Sequence, residues 1–166
     1  MTNLNLPGGS PIEVGLPISK VDIVDTLKNF YKVQATGYFA VTIQGYDGLE
    51  DGALFLNEGV PVAAIYEYMK YKKYYYGDDA LVRIFNACNA REGILDVYSL
   101  TPVQISMILK AKELHFDKAR SKEGFKKFIV STYSEKYAIQ AISPSENTPN
   151  KFGILKKYGL SKIFKG

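Results

Sequence analysis

The stretch 37–66 constrains the fold more than any other. Phe39, Val41 and Ile43 alternate with Tyr38, Ala40 and Thr42, a period of two that sends successive side chains to opposite faces of a strand. Gly45-Tyr46-Asp47-Gly48 follows as a turn, its Asp-Gly pair supplying residues that accept a positive φ. Ala53-Leu54-Phe55-Leu56 reads as a second strand, Asn57-Glu58-Gly59 as a tight turn, and Val60 to Tyr66 as a third strand. Pro61 near its start points to an edge position or a bulge. Three strands joined by short turns make an antiparallel meander, and an open edge at 60–66 would invite pairing between copies.

The flanks read as helices. Val21, Val24, Leu27 and Phe30 repeat every third residue behind Ser19 as a cap, which predicts a helix over 20–31. Before it, Leu6-Pro7-Gly8-Gly9-Ser10-Pro11-Ile12-Glu13-Val14 reads as an extended entry ending in a short strand. Gly77-Asp78-Asp79 opens a helix with Leu81, Ile84, Phe85 and Cys88 on one face. Gly93 releases a strand over 94–98. Thr101-Pro102-Val103-Gln104 combines a cap, a proline at the first helical position and a glutamine three past the cap, and opens a helix over 102–113. The expected class is α+β: a mainly antiparallel sheet (meander) flanked by three helices, with a basic C-terminal extension. The expected organisation is a domain over 1–113, an extension over 114–142, a Pro- and Ser-containing linker over 143–150 and a basic amphipathic tail over 151–166. The extension is ambiguous between helix and strand: Phe125, Phe128 and Ile129 have helical spacing, whereas 128–133 also fits a strand.

Chemistry is hard to place on this chain. It has one cysteine, Cys88, and one histidine, His115. That excludes an internal disulfide and leaves a Cys/His zinc site short of ligands. Cys88 sits in an apolar run and reads as a small buried hydrophobe, and His115 as a residue near a helix end. Neither phosphate-binding glycine motif occurs. The adjacent acid pairs, Glu50-Asp51 and Asp78-Asp79, fall at predicted element boundaries. The reading is a non-enzymatic protein with no catalytic, cofactor or metal residues. An enzyme would have to draw on carboxylates and tyrosines, around Asp96 or Glu67.

The order of motifs is similar to that of a family. A Leu-Pro-x-Gly leader, Thr36-Gly37-Tyr38-Phe39, Gly52-Ala53-Leu54-Phe55, Glu58 to Ala64 and Gly77-Asp78-Asp79-Ala80-Leu81 together resemble an archaeal conserved domain family of unknown function. In outline they also resemble the PatA-type amino-terminal domain attached to bacterial response regulators. The likeness runs over about 4–110, and Leu155-Lys156-Lys157-Tyr158-Gly159-Leu160 resembles a tail ending of the archaeal group. It implies no catalytic residues. Residues 68–76 depart from the PatA-type pattern.

Two segments stand out. Residues 66–76 hold six of the thirteen tyrosines, interleaved with three lysines. Tyrosine suits protein interfaces, stacked rings with lysines suit single-stranded nucleic acid, and a plain strand-to-helix connection packs its rings on the sheet. The second is 151–166, with five lysines and no acidic side chain, behind a body over 1–100 that carries eight basic and twelve acidic residues. Such a segment docks on a partner, folds back on its own body or lies on an anionic membrane. The candidate contact residues are Tyr68, Tyr71, Lys72, Lys73, Tyr74 and Tyr75, with Phe152, Leu155, Lys156, Lys157, Tyr158, Leu160, Ile163 and Phe164. The expected partner is a protein, with a second copy or nucleic acid as alternatives. No apolar run is long enough to span a bilayer and the first twenty residues lack a secretory pattern, so the expectation is cytoplasmic, without integral membrane association.

Overall fold

The computed structural model describes Leu4, residues 6–116 and residues 122–143. Six strands form one antiparallel sheet: β1 (Ser10–Pro17), β2 (Gly37–Gly45), β3 (Gly48–Asn57), β4 (Val60–Tyr68), β5 (Lys73–Tyr76) and β6 (Gly93–Ser99), in spatial order β1-β6-β2-β3-β4-β5. The helices are α1 (Ile23–Lys32), α2 (Gly77–Ala87), α3 (Pro102–Lys110) and α4 (Lys136–Ile142). The class is α+β, as the sequence predicts, with one helix more than expected.

The meander is present, with β2, β3 and β4 joined by two-residue turns at the expected places. Gly48 and Gly59 both take positive φ there, and the register jumps at Phe55/Leu56 opposite Pro61, so the proline marks a bulge. The 60–66 edge is not open. β5 pairs with Ile65 to Tyr68, and His115 bridges Ala63. The sheet instead ends at β1 on one side and β5 on the other.

Helix α1 starts later than expected. Val21 is extended after a separate 3-10 turn, Ile18–Lys20, and the cap is Asp22 rather than Ser19. The Asp22 carboxylate accepts from the amides of Val24 at 2.9 Å and Asp25 at 3.2 Å, two of the donors that a helix start leaves unpaired. Helix α3 has the full capping box of Thr101 and Gln104, but ends at Lys110, and Lys112–Leu114 forms a separate 3-10 turn.

Alternation divides the core in two. Phe39, Val41, Ile43, Leu54, Leu56, Ala64, Tyr66 and Tyr68 face α1, α2 and α4. Tyr38, Ala40, Ala53, Phe55 and Ala63 face α3 and the entry segment. Glu50-Asp51 lies within β3, not at a boundary. The same parity sends Glu50 to the first face and Asp51 to the second, and both are buried.

Residues 128–133 form no strand. Lys122–Phe128 is a 3-10 helix and α4 follows, and Phe125, Ala138 and Ala141 complete the same core that α1 and α2 cover. The described part of 114–142 is therefore packed into the body. Helix α2 and the turn after it hold it by amide side chains: Asn86 of the helix exchanges hydrogen bonds with the backbone of Ser134 at 2.9 and 2.8 Å, and Asn89 of the turn donates to the Val130 carbonyl at 2.8 Å. The tail residues Phe152, Leu155, Lys156, Lys157, Tyr158, Leu160, Ile163 and Phe164, and nearly all of the linker, lie outside the described residues.

Candidate interaction surface

The tyrosine-rich segment folds as a hairpin, not as a strand-to-helix connection. β4 runs into a 3-10 turn, Met69–Tyr71, then Lys72 adopts the left-handed region at φ 48° and reverses the chain into β5. Because strand side chains alternate, the tyrosines part into an inner set, an outer set and a tip.

The inner set is Tyr66, Tyr68 and Tyr75. Tyr66 meets Tyr68 edge-on at 5.3 Å between centroids, and Tyr68 meets Tyr75 edge-on at 5.8 Å. Arg83 of α2 lays its guanidinium over the Tyr75 ring, 3.5 Å from the centroid. Tyr68 is only 3% exposed and Tyr75 half-buried. These two predicted contact residues therefore line the core side of the hairpin, because their positions share the parity of Tyr66. The Tyr66 hydroxyl donates to Glu50 Oε2 at 2.5 Å. Burial pushes the Glu50 carboxyl above its ordinary range, against the opposing pull of the Tyr66 hydrogen bond, the Tyr46 amide and the Arg83 charge. Burial likewise pushes the Tyr66 hydroxyl well up.

A test follows from Glu50. A carboxyl whose folded value is raised holds its proton in the folded state after the unfolded chain has released it. Its contribution to stability is complete below the unfolded value and is lost as pH rises through the folded value. Glu50→Gln should therefore flatten this part of the profile: acidifying from neutrality should raise the urea midpoint of the wild type more than that of the variant. The opposite ordering would mean that the charged form is the one the core favours.

At the tip, Lys70 pairs with Asp47 of the β2–β3 turn at 3.0 Å, and the Tyr71 hydroxyl donates to the same carboxylate. These hydrogen bonds, that of Tyr71 first, hold the Asp47 carboxyl below its usual range. The pair is exposed, so its role is to dock one turn on the other, not to add much stability. Lys73 points back to α4, donating from Nζ to the Ala141 carbonyl at 2.6 Å. Lys72 is exposed.

The outer set is Tyr74 and Tyr76, each 43% exposed. Tyr74 hydrogen-bonds Glu67, which raises its hydroxyl. Glu67 stands directly across from Asp51, and the two are 5% and 0% exposed. Tyr46 and Leu49 are also exposed at the corner formed by the β2–β3 turn and the hairpin. Sequence reading missed Tyr76, Tyr46 and Leu49. Tyr76 was recoverable from its parity with Tyr74.

The other chemistry-bearing residues are structural. Asp96 accepts from the Gly15 amide at 2.7 Å and pins the irregular β1 strand. Cys88 is buried, and burial pushes its thiol up to about 12, which keeps it protonated and unreactive. His115 sets a ring nitrogen 3.3 Å from the Ile108 carbonyl, near the end of α3. Among the described residues no three His, Cys, Asp or Glu side chains group as metal ligands, and no helix is long and apolar enough to cross a membrane. Surface cavities are lined by α1, α3 and the 125–132 segment, with the turns at 57–61 and 88–89 beside them. Glu50 and Tyr66, 4% and 1% exposed, form a buried hydrogen-bonded pair.

No curated protein and no solved structure matches the chain. Residues 4–112, from the entry segment through α3 and the turn after it, match the model of a family described as "Uncharacterized protein conserved in archaea (DUF2226)". That span holds the whole sheet and the tyrosine hairpin, and it is well over half of the protein, so this chain belongs to that archaeal family.

Proposed function

We propose that this protein is a non-enzymatic interaction module of the archaeal cytoplasm that binds a protein partner through the tip and outer face of the β4–β5 hairpin, with 151–166 as a second docking segment. The observation that carries the reading is the gathering of Tyr71, Tyr74, Tyr76, Tyr46 and Leu49, all exposed, at one corner of a sheet whose other side is packed. Rigid amphipathic rings on a fixed scaffold lose little side-chain freedom on binding, which is why tyrosine recurs at contact centres. An adaptor within signalling or assembly machinery suits such a surface.

Nucleic acid is the weaker reading. Of the segment's lysines, Lys70 is held by Asp47 and Lys73 by Ala141, and Glu67 and Asp51 lie beside the outer rings. That is a poor phosphate footprint.

Quantitative capture from extract of an archaeal host, with and without nuclease treatment, tests the proposal, with wild type and a Tyr71→Ala, Tyr74→Ala, Tyr76→Ala variant as baits. A defined protein should be enriched on the first and lost on the second. Equal recovery on both baits would remove the hairpin from the account. Loss of recovery only after nuclease would move it to nucleic acid.

A further inference from the structure

Helix α1 and the segment 125–129 do not close completely over the start of β4. An apolar groove remains, with Leu27 and Tyr31 of α1 on one wall, Phe125 and Ile129 on the other, and Val60 and Pro61 between them. Among the described residues, the charged ones that line it are Lys28 and Lys126, one on each wall and both exposed. Lys32, also exposed, stands one turn farther along α1. The enclosed part of the groove measures about 60 Å³, and its open mouth raises the free space to about 530 Å³. At roughly 10–15 Å³ for each water-sized atom, the enclosed part takes about four to six atoms. That is the size of one leucine, isoleucine or methionine side chain, and well short of the roughly 300–1,000 Å³ of a small-molecule site.

We propose that this groove is the docking site for an acidic amphipathic helix of a protein partner, which inserts one aliphatic anchor between α1 and the 125–129 segment and sets carboxylates against Lys28 and Lys126. Charge names the sign of the partner. Cations on both walls, with no acid in the lining, match an anionic rim around the anchor. They also turn away the chain's own 151–166, which has five lysines and no acidic residue. Backbone chemistry names the conformation. The two walls are built on helices, and Pro61 has no amide hydrogen to offer, so an extended peptide finds little main chain to pair with. A helix brings its own hydrogen bonds into an apolar slot. It also sets acids three or four residues before and after the anchor on the same face, roughly 5–6 Å away, where they can reach both lysines. Leu27, Phe125 and Ile129 belong to the core on the helix-covered side of the sheet, whereas Tyr74 and Tyr76 stand on the other side. The groove is therefore a second surface, independent of the hairpin.

The probe is a phage-displayed library of random peptides of about 16 residues, long enough to hold a helix, selected on the full wild-type chain. The enriched peptides should be acidic, with apolar residues three and four apart. In NMR titrations they should shift the backbone amide signals of Leu27, Lys28, Val60 and Ile129 several-fold more than those of Tyr74 and Tyr76. Lys28→Glu, at an exposed position, should weaken their binding roughly five- to tenfold, Lys28→Arg should leave it unchanged, and added salt should weaken it. Exchanging the peptide's aliphatic anchor for alanine should abolish it. No enriched peptide, a set without acidic excess, shifts centred elsewhere, or equal affinity for Lys28→Glu would each overturn the proposal. So would movement of the same lining signals when the protein alone is diluted, because the occupant would then be a second copy. The Tyr71→Ala, Tyr74→Ala, Tyr76→Ala variant should bind the peptides as tightly as wild type, so failure of the hairpin reading leaves this result standing.

Discussion

Arg83→Met should lower the unfolding free energy by about 3 kcal/mol, read as a shift of the urea midpoint at constant slope. Methionine keeps the length and most of the apolar stem, so the loss isolates the guanidinium. That group is 5% exposed, stacks on Tyr75 at 3.5 Å, and donates from Nη1 to the Asp79 carbonyl at 2.8 Å. It also hydrogen-bonds Tyr68 and is a cation near the buried Glu50. Removing it forfeits a desolvated cation–π contact, worth about 2 kcal/mol. It also strips a buried carboxyl of a compensating charge. Arg83→Lys should recover little, because an ammonium cannot lie flat on the ring while reaching both oxygens. A loss below about 1 kcal/mol for Arg83→Met would mean that the stack contributes nothing beyond its area.

Gly59→Ala should cost about as much or more, roughly 3–5 kcal/mol from two sources. Gly59 holds φ at +82°, a region that alanine enters only with strain. The added methyl would also stand 2.6 Å from the Phe30 carbonyl oxygen and 2.6 Å from the Tyr31 Cα. Both are backbone atoms at the C-terminal end of α1, so no side chain can swing away. The amide of the same glycine donates to the Ala35 carbonyl at 2.7 Å. Relief by moving the turn would break that bond and lift α1 from the sheet. Its neighbour supplies the control. Glu58 also has positive φ, at 50°, yet its side chain is on the turn surface. Glu58→Gly should be neutral or slightly stabilising in the same urea measurement, and a large loss there would mean that the turn conformation, not the contact with α1, sets the cost.

These two sites differ in how visible they were. The turn at Gly59 was legible because its requirement is local: a two-residue reversal needs residues that accept positive φ, and the sequence places one there. The same holds for the capping box at Thr101, and for the meander itself, whose alternation is a property of neighbouring residues. The role of Arg83 was not legible. Nothing in the spacing between residues 75 and 83 says that a helix arginine will lie on a strand tyrosine, since that contact exists only once α2 is laid on β4 and β5.

The candidate surface was half visible for the same reason. A dense run of tyrosine and lysine announces itself in composition, but which rings face outward depends on where the hairpin turns. Lys72 at positive φ sets that point, and with it sends Tyr74 and Tyr76 outward and Tyr75 inward. The placement of β6 between β1 and β2 was equally hidden, because pairing partners from about fifty to nearly ninety residues apart leave no periodic trace. The sequence alone determined the class, the meander, the turns, the cap of α3 and the family, whose motifs follow from short-range stereochemistry and patterning. Tertiary structure decided what those could not: which side chains the two faces of the sheet bury, that 122–142 completes the core, and that two carboxylates from different strands meet in one row beside exposed tyrosines. Burial and charge proximity are relations between distant segments, and they come into being only when the chain has closed on itself.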